Sequence, residues 1–278
     1  MNIRPNIHLT GAGNRPFLLD LYVADTPNGH LLIFCHGFKG FKDWGGWHEM
    51  AKYFASNGFH FVKFNFSHNG TTPDAPLDFD DLTAFGNNTF SKELFDLECV
   101  LDWVEQEKES GRLDYQHIHL IGHSRSGPIV LVKGQESPRI ASVTTWAGVA
   151  DLKGMLTRHT IETWKKEGVI YIANARTNQQ MPLFFSLYED YMSNESRLDL
   201  DLLPKSRPIP IHIIHGDIDQ AVPVEAADQL QSFFSRAKVD IIKGAGHTFG
   251  CKHPQDTPLT EAARELITLT SSFILDMT

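Results

Sequence analysis

Short apolar runs alternate with stretches of helical period along this 278-residue chain. Ile7–Thr10 and Phe17–Val23 flank Gly11-Ala12-Gly13-Asn14, the pattern of an antiparallel strand pair joined by a loop. Leu31–Cys35, Phe59–Phe66, Ile118–Ile121, Ser142–Trp146, Pro210–Ile214 and Val239–Ile242 bring the set to about eight strands. Between them the spacing predicts helices at Trp47–Asn57, Lys92–Glu107, Pro128–Gln135, Ala226–Ser235 and Pro258–Leu275. In the second of these, Leu94, Leu97, Leu101 and Val104 recur at intervals of three and four, while Glu93, Glu98, Glu105 and Lys108 take other faces. An antiparallel start followed by strand–helix alternation predicts an α/β fold. Its sheet is mostly parallel and eight-stranded, with the helices supplying the crossovers on both faces.

One interval breaks the rhythm. From about Asp151 to Arg207 the chain leaves the alternation for far longer than a usual loop of about 4–6 residues. It holds a helical stretch at Thr160–Glu167 and two short strands, Val169–Ala173 and Met181–Phe185, separated by Arg176-Thr177-Asn178-Gln179. A polar aromatic segment from Tyr188 to Tyr191 follows. The division expected is a core of residues 1–150 and 208–278, with 151–207 inserted as a cap.

Composition narrows the function classes. Hydrophobic residues make up 41% of the chain and charged residues 21%, ordinary for a globular protein. A net charge of -9 argues against nucleic acid as a partner, because phosphate binding needs a basic face. No apolar run reaches the roughly 18 residues that a membrane span requires. Met1–Asn6 lacks the apolar stretch of a signal peptide. The three cysteines, Cys35, Cys99 and Cys251, show no paired spacing. The expectation is a cytoplasmic protein with no membrane or nucleic-acid partner. The acidic run Asp74 to Asp81 reads as a solvated loop.

The chemistry concentrates at Gly122-His123-Ser124-Arg125-Ser126-Gly127, directly after a predicted strand. A serine flanked by small residues at a strand-to-helix turn is the pattern of a nucleophile elbow, although Ser126 stands where Gly-x-Ser-x-Gly has its second glycine. Serine alone is a weak nucleophile and needs a base, oriented in turn by a third group. Asp217 or Asp219, and then His247, follow in the order serine, acid, histidine, each after a predicted strand. Ser124 as a simple N-cap, and His247 as a plain loop histidine, are the competing structural readings. His117 and His119 share one strand face, no pair has the helical metal spacing, and no metal is expected. Cys35 and Cys251 read as packing residues.

With these residues in place, nearly the whole chain resembles the α/β-hydrolase superfamily. His36-Gly37-Phe38 looks like its oxyanion-loop motif, His215-Gly216-Asp217-Ile218-Asp219 its acid-bearing segment, and Gly244-Ala245-Gly246-His247 its histidine loop. The Gly37–Asp43 run and the modest cap resemble small bacterial esterases and serine aminopeptidase-like hydrolases. The resemblance implies a triad of Ser124, Asp219 and His247, with the acid at Asp219 rather than Asp217. It also implies an oxyanion hole from the backbone N–H groups of Phe38 and Arg125. It requires no cofactor, and its substrate would be a small carboxylic ester. Trp164, Phe184, Phe185 and Tyr188 in the cap are candidate pocket residues, with plain core packing the alternative. A peptidase or amidase of the same fold, or a binding protein that has lost the chemistry, are the alternative functions.

Overall fold

The computed structural model describes residues 1–157 and 160–277. Among these residues ten strands form: β1 (Asn2–Thr10), β2 (Pro16–Val23), β3 (His30–Cys35), β4 (His60–Phe64), β5 (His117–His123), β6 (Ile140–Trp146), β7 (Val169–Asn174), β8 (Gln179–Phe184), β9 (Ile211–Gly216) and β10 (Lys238–Ile242). Eight of them make one sheet in the order β1-β2-β4-β3-β5-β6-β9-β10. The β1–β2 and β2–β4 pairs are antiparallel and the rest of this sheet is parallel. This is the α/β architecture expected from the alternation.

β3 shows how sequence sets the layers. All six residues are buried, as a strand covered on both faces requires. Successive side chains point to opposite faces, so Leu31, Ile33 and Cys35 enter one core while Leu32 and Phe34 enter the other. Leu94, Leu97, Leu101 and Val104 of helix Phe90–Glu109 fill the first core. Phe54 of helix Trp47–Ser56 and Leu266 and Ile267 of helix Glu261–Leu275 fill the second. Helix Phe90–Glu109 starts two residues before its expected boundary because the Thr89 side chain caps it, accepting the Lys92 N–H.

Two local expectations change. β1 begins at Asn2 rather than Ile7, because Pro5 and Asn6 interrupt the apolar pattern without ending the strand. They sit at a register shift between Arg4 and Ile7 on an edge strand, where proline is tolerated. The stretch from Asp74 to Asp81 is not simply solvated. It buries Phe79 and ends in Asp81, which caps helix Leu82–Gly86 and pairs with Arg15.

Two features of topology position the site. From β3 the chain runs to β4 on one side, while β5 lies on the other. The loops after β3 and β5 therefore leave adjacent carboxyl ends in opposite directions and open a crevice, the usual ligand position in such sheets. Between β6 and β9, which are neighbours, the chain leaves the sheet and returns. That excursion carries the antiparallel β7–β8 hairpin and helices Leu152–Leu156, Ile161–Glu167, Ser186–Ser193 and Glu195–Leu198. No described helix is long and apolar enough to cross a membrane.

Candidate active site

Ser124 follows the end of β5 and holds φ of 56°, a left-handed conformation that is unfavourable for a residue with a Cβ. Helix Ser126–Glu136 starts two residues later. The turn is tight enough that a Cβ at Gly122 would lie 2.4 Å from the Ser126 carbonyl oxygen and 2.5 Å from Val130 Cγ2. Ser126 itself is accommodated: it is 1% exposed, and its hydroxyl donates to the His36 carbonyl. Close approach of backbone occurs one residue later, where a Cβ at Gly127 would meet Gly148 Cα at 2.9 Å. The departure from the Gly-x-Ser-x-Gly pattern thus ties the elbow to the loop after β3. Ser126→Ala is expected to lower stability by about 1–3 kcal/mol by leaving that buried carbonyl without its donor. A urea midpoint equal to wild type would show that the bond carries no weight.

The two expected oxyanion donors are fixed by one device used twice. The Gly37 carbonyl accepts from Gly40 N at 3.0 Å and lies 2.9 Å from His36 Nδ1. Phe66 N–H donates to His36 Nε2, so the His36 proton sits on Nδ1 and is given to that carbonyl. Burial, opposed by this bond, pushes the His36 pKa down to about 4 and keeps the ring neutral. In a planar trans peptide the Phe38 N–H points away from the held carbonyl. Likewise the Ser124 carbonyl accepts from Gly127 N at 2.9 Å and Val149 N at 3.2 Å, turning the Arg125 N–H to the other side. Neither N–H has an acceptor among the described residues. The Arg125 side chain is buried, paired with Glu93, and its guanidinium lies 4.9 Å from the centre of the Phe38 ring.

His247 Nδ1 is 2.8 Å from Asp219 Oδ2. The other oxygen of Asp219 accepts from Ala221 N at 2.8 Å and Val222 N at 2.9 Å. Burial works to raise the Asp219 pKa, but bonds from His215 and His247 and from the Val222 N–H outweigh it and hold the carboxyl well below its usual range. An ionised Asp219 places the His247 proton on Nδ1 and leaves Nε2 as the basic nitrogen. Asp217 is exposed and is occupied elsewhere, accepting from Gly244 N at 2.6 Å. A third histidine steadies the loop: His123 Nε2 donates to the His247 carbonyl at 2.9 Å. Among the described residues no hydrogen bond joins Ser124 Oγ to His247. Both line one cavity, and such contacts commonly tighten only when substrate binds.

That cavity has a volume of about 260 Å³. Its walls come from the loop after β3 (Gly37 to Gly40, Trp44), from Trp47, from His123 and Ser124, from His247 and Thr248, and from Asn174 and Arg176 of the hairpin. A larger cleft, about 570 Å³, lies at the opposite end of β9 between Arg207–Ile211 and Phe233–Ala237, away from any of these groups. The aromatics expected to line the pocket are elsewhere. Trp164, fully buried, donates its indole N–H to the Leu183 carbonyl and packs edge-on to Phe185, which stacks on Tyr188. Phe184 packs against Gly86. Trp164, Phe185 and Tyr188 pack together within the excursion, and the cavity takes its aromatic walls from Phe38, Trp44 and Trp47 instead. No group of three or more His, Cys, Asp or Glu among the described residues is placed to hold a metal ion.

Residues 32–264 match the model of the alpha/beta hydrolase family. The chain belongs to that family. No curated protein matches it. Its structure is similar to a protein from Agrobacterium vitis S4 (TM-score 0.73, 16% identity, covering 99% of this chain and 100% of that one). It is similar to a soluble variant of monoglyceride lipase from Saccharomyces cerevisiae (0.72, 14%, 98% and 95%). It is also similar to the esterase domain of a Rhodothermus marinus protein (0.62, 16%, 98% and 98%). At these identities the likeness is one of fold.

This α/β hydrolase also carries a charge cluster beneath the loop after β3 that sequence reading missed. Asp20 on β2 and Lys63 on β4 are cross-strand partners, and Lys63 Nζ lies 2.7 Å from Asp20 Oδ2. Lys42 Nζ lies 2.8 Å from Asp20 Oδ1 and 2.6 Å from Asp43, which also pairs with Lys63. Both lysines are 2% exposed or less. Two cations facing two anions keep the buried set neutral, and Lys42 and Asp43 belong to the loop that carries Phe38. Lys63→Met is expected to destabilise the fold by about 3–5 kcal/mol, by stranding buried carboxylate charge. Burial pushes the Asp20 pKa up, but Lys63 and Lys42 pull it further down, to about 2. A pKa below the unfolded value of about 3.9 means that this contribution is complete above that pH and is lost as pH falls towards 2. Urea titrations should show wild type losing its margin over Lys63→Met across that window. A margin independent of pH would contradict the pairing.

Proposed function

We propose that the chain is a serine hydrolase that cleaves a small carboxylic ester through an acyl-enzyme on Ser124. One observation carries this: a serine held at φ 56° at the carboxyl end of a central strand shares its cavity with a histidine whose Nδ1 is engaged by an ionised aspartate. In the first half-reaction His247 Nε2 takes the Ser124 hydroxyl proton as Oγ attacks the acyl carbon. The negative charge that forms on the carbonyl oxygen is met by the Phe38 and Arg125 N–H groups, which need no reorganisation. His247 then gives its proton to the departing alcohol oxygen. In the second half a water molecule takes the place of that alcohol, passes a proton to His247, and releases the acid and free Ser124. Asp219 keeps the imidazole in the productive tautomer. The excursion between β6 and β9 serves as the cap, since its hairpin supplies Asn174 and Arg176 to the cavity wall. All three thiols are free, which fits a reducing, cytoplasmic location.

The cavity, at about 260 Å³, is just under the usual range of about 300–1,000 Å³ for ligand sites and favours short acyl groups. Expected, therefore, is turnover of 4-nitrophenyl butyrate well above that of 4-nitrophenyl dodecanoate, and above that of butyryl 4-nitroanilide. Preference for the anilide would move the assignment to an amidase, and absence of turnover on the whole series would remove the esterase assignment.

A further inference from the structure

Resting on the esterase reading, we infer that the substrate carries a second, anionic oxyacid group that binds against the β7–β8 hairpin side of the cavity. The chain has a net charge of -9, yet the cavity walls contain two cations, Lys39 and Arg176, and no aspartate or glutamate. Neither cation has a carboxylate within ion-pair distance among the described residues. Lys39 is half-buried, holds φ of 55°, and among the described residues its Nζ donates only to the Ala173 carbonyl, at 3.3 Å. Burial pushes its pKa down, the mark of an ammonium partly stripped of water with no anion in return. The Arg176 side chain is exposed, its guanidinium carbon lies 5.3 and 5.5 Å from the ring centres of Phe41 and Phe79, and its N–H groups have no acceptor among the described residues.

The third member of the wall adds an independent observation. Asn174 is 6% exposed, and its amide Nδ2 is buried without an acceptor. An unmet donor of this kind ordinarily disfavours the fold, so its presence on a cavity wall beside two unpaired cations is explained by a ligand oxygen. Guanidinium, ammonium and amide N–H together present only donors, which suits a carboxylate or a phosphoryl group and rejects an alkyl end. Phe38, Trp44 and Trp47 make the aromatic part of the wall and would flank the acyl chain. The substrate class is thus a short ester with an acidic terminus, such as a monoester of a dicarboxylic acid. The cations would also draw it towards an otherwise acidic molecule.

The test compares three methyl esters of matched length: monomethyl glutarate, methyl 4-phosphonobutanoate and methyl pentanoate. Acid release is followed by pH-stat in wild type, Arg176→Gln and Asn174→Ala. The expected result is a kcat/KM on the order of ten- to a hundredfold higher for an anionic ester than for methyl pentanoate, a ratio that collapses in Arg176→Gln. Whichever anionic ester leads identifies a carboxylate or a phosphoryl terminus. Binding of monomethyl glutarate to Ser124→Ala, read from Trp44 and Trp47 fluorescence, is expected and should weaken when Arg176→Gln is added. Saturable binding that depends on Arg176 but with no turnover of any ester would retain the anion site and overturn the esterase reading. Turnover with no anionic preference, and binding indifferent to Arg176→Gln, would overturn the anion site and leave the esterase reading standing.

Discussion

Ser124→Ala should lower kcat on a short-chain ester by on the order of 10⁵–10⁶ while leaving the fold intact. Alanine keeps the Cβ that the left-handed turn already holds, and the Ser124 hydroxyl makes no hydrogen bond among the described residues. The melting temperature should therefore stay close to that of wild type. What disappears is the bond-forming atom. The Phe38 and Arg125 N–H groups and the cavity remain, so a weak residual rate above water is expected from them alone. KM should change little, because Oγ contributes to the transition state rather than to ground-state binding. A variant that keeps more than about a tenth of wild-type turnover would remove Ser124 from the mechanism, since no tenfold effect is compatible with loss of a nucleophile.

The second large effect separates two neighbouring carboxylates. Asp219→Asn should reduce kcat by on the order of 10⁴, because an amide facing His247 Nδ1 can present N–H instead of a lone pair and stabilise the unproductive tautomer. The asparagine would also lack the negative charge that accepts the bonds from Ala221, Val222 and His247. Asp217→Asn should leave kcat within a few-fold of wild type, because Asp217 is exposed and serves the Gly244 N–H. The contrast is sharp because the two residues stand two positions apart in the same turn, with only Ile218 between them. A larger loss at Asp217 would transfer the role of the acid.

Much of this is legible in the sequence alone. Short apolar runs and period-3.6 patterns placed the sheet and its helices, since both reflect burial, which is written locally in the sequence. The candidate serine, acid and histidine were legible for a related reason: each sits in a strand-to-loop transition with its own small-residue signature. What stayed hidden depends on contacts between distant segments. Asp20 and Lys63 meet only because β2 and β4 pair in one register, and Lys42 joins them from a loop. Each alone looks like a surface charge. The cap aromatics misled for the opposite reason. Trp164, Phe185 and Tyr188 belong to one excursion and pack on one another, whereas the cavity is lined by Asn174 and Arg176, polar residues at a hairpin end with no pattern of their own. Ser126 looked like a broken motif and proves to be a buried tie to His36.

The most direct measurement is the intact mass of the protein after incubation with a fluorophosphonate, followed by peptide mapping. One adduct per chain is expected, on Ser124, absent from Ser124→Ala and strongly slowed in Asp219→Asn. An unmodified wild-type chain, or an adduct that persists at another residue when Ser124 is replaced, would contradict the assignment of Ser124 as an activated nucleophile.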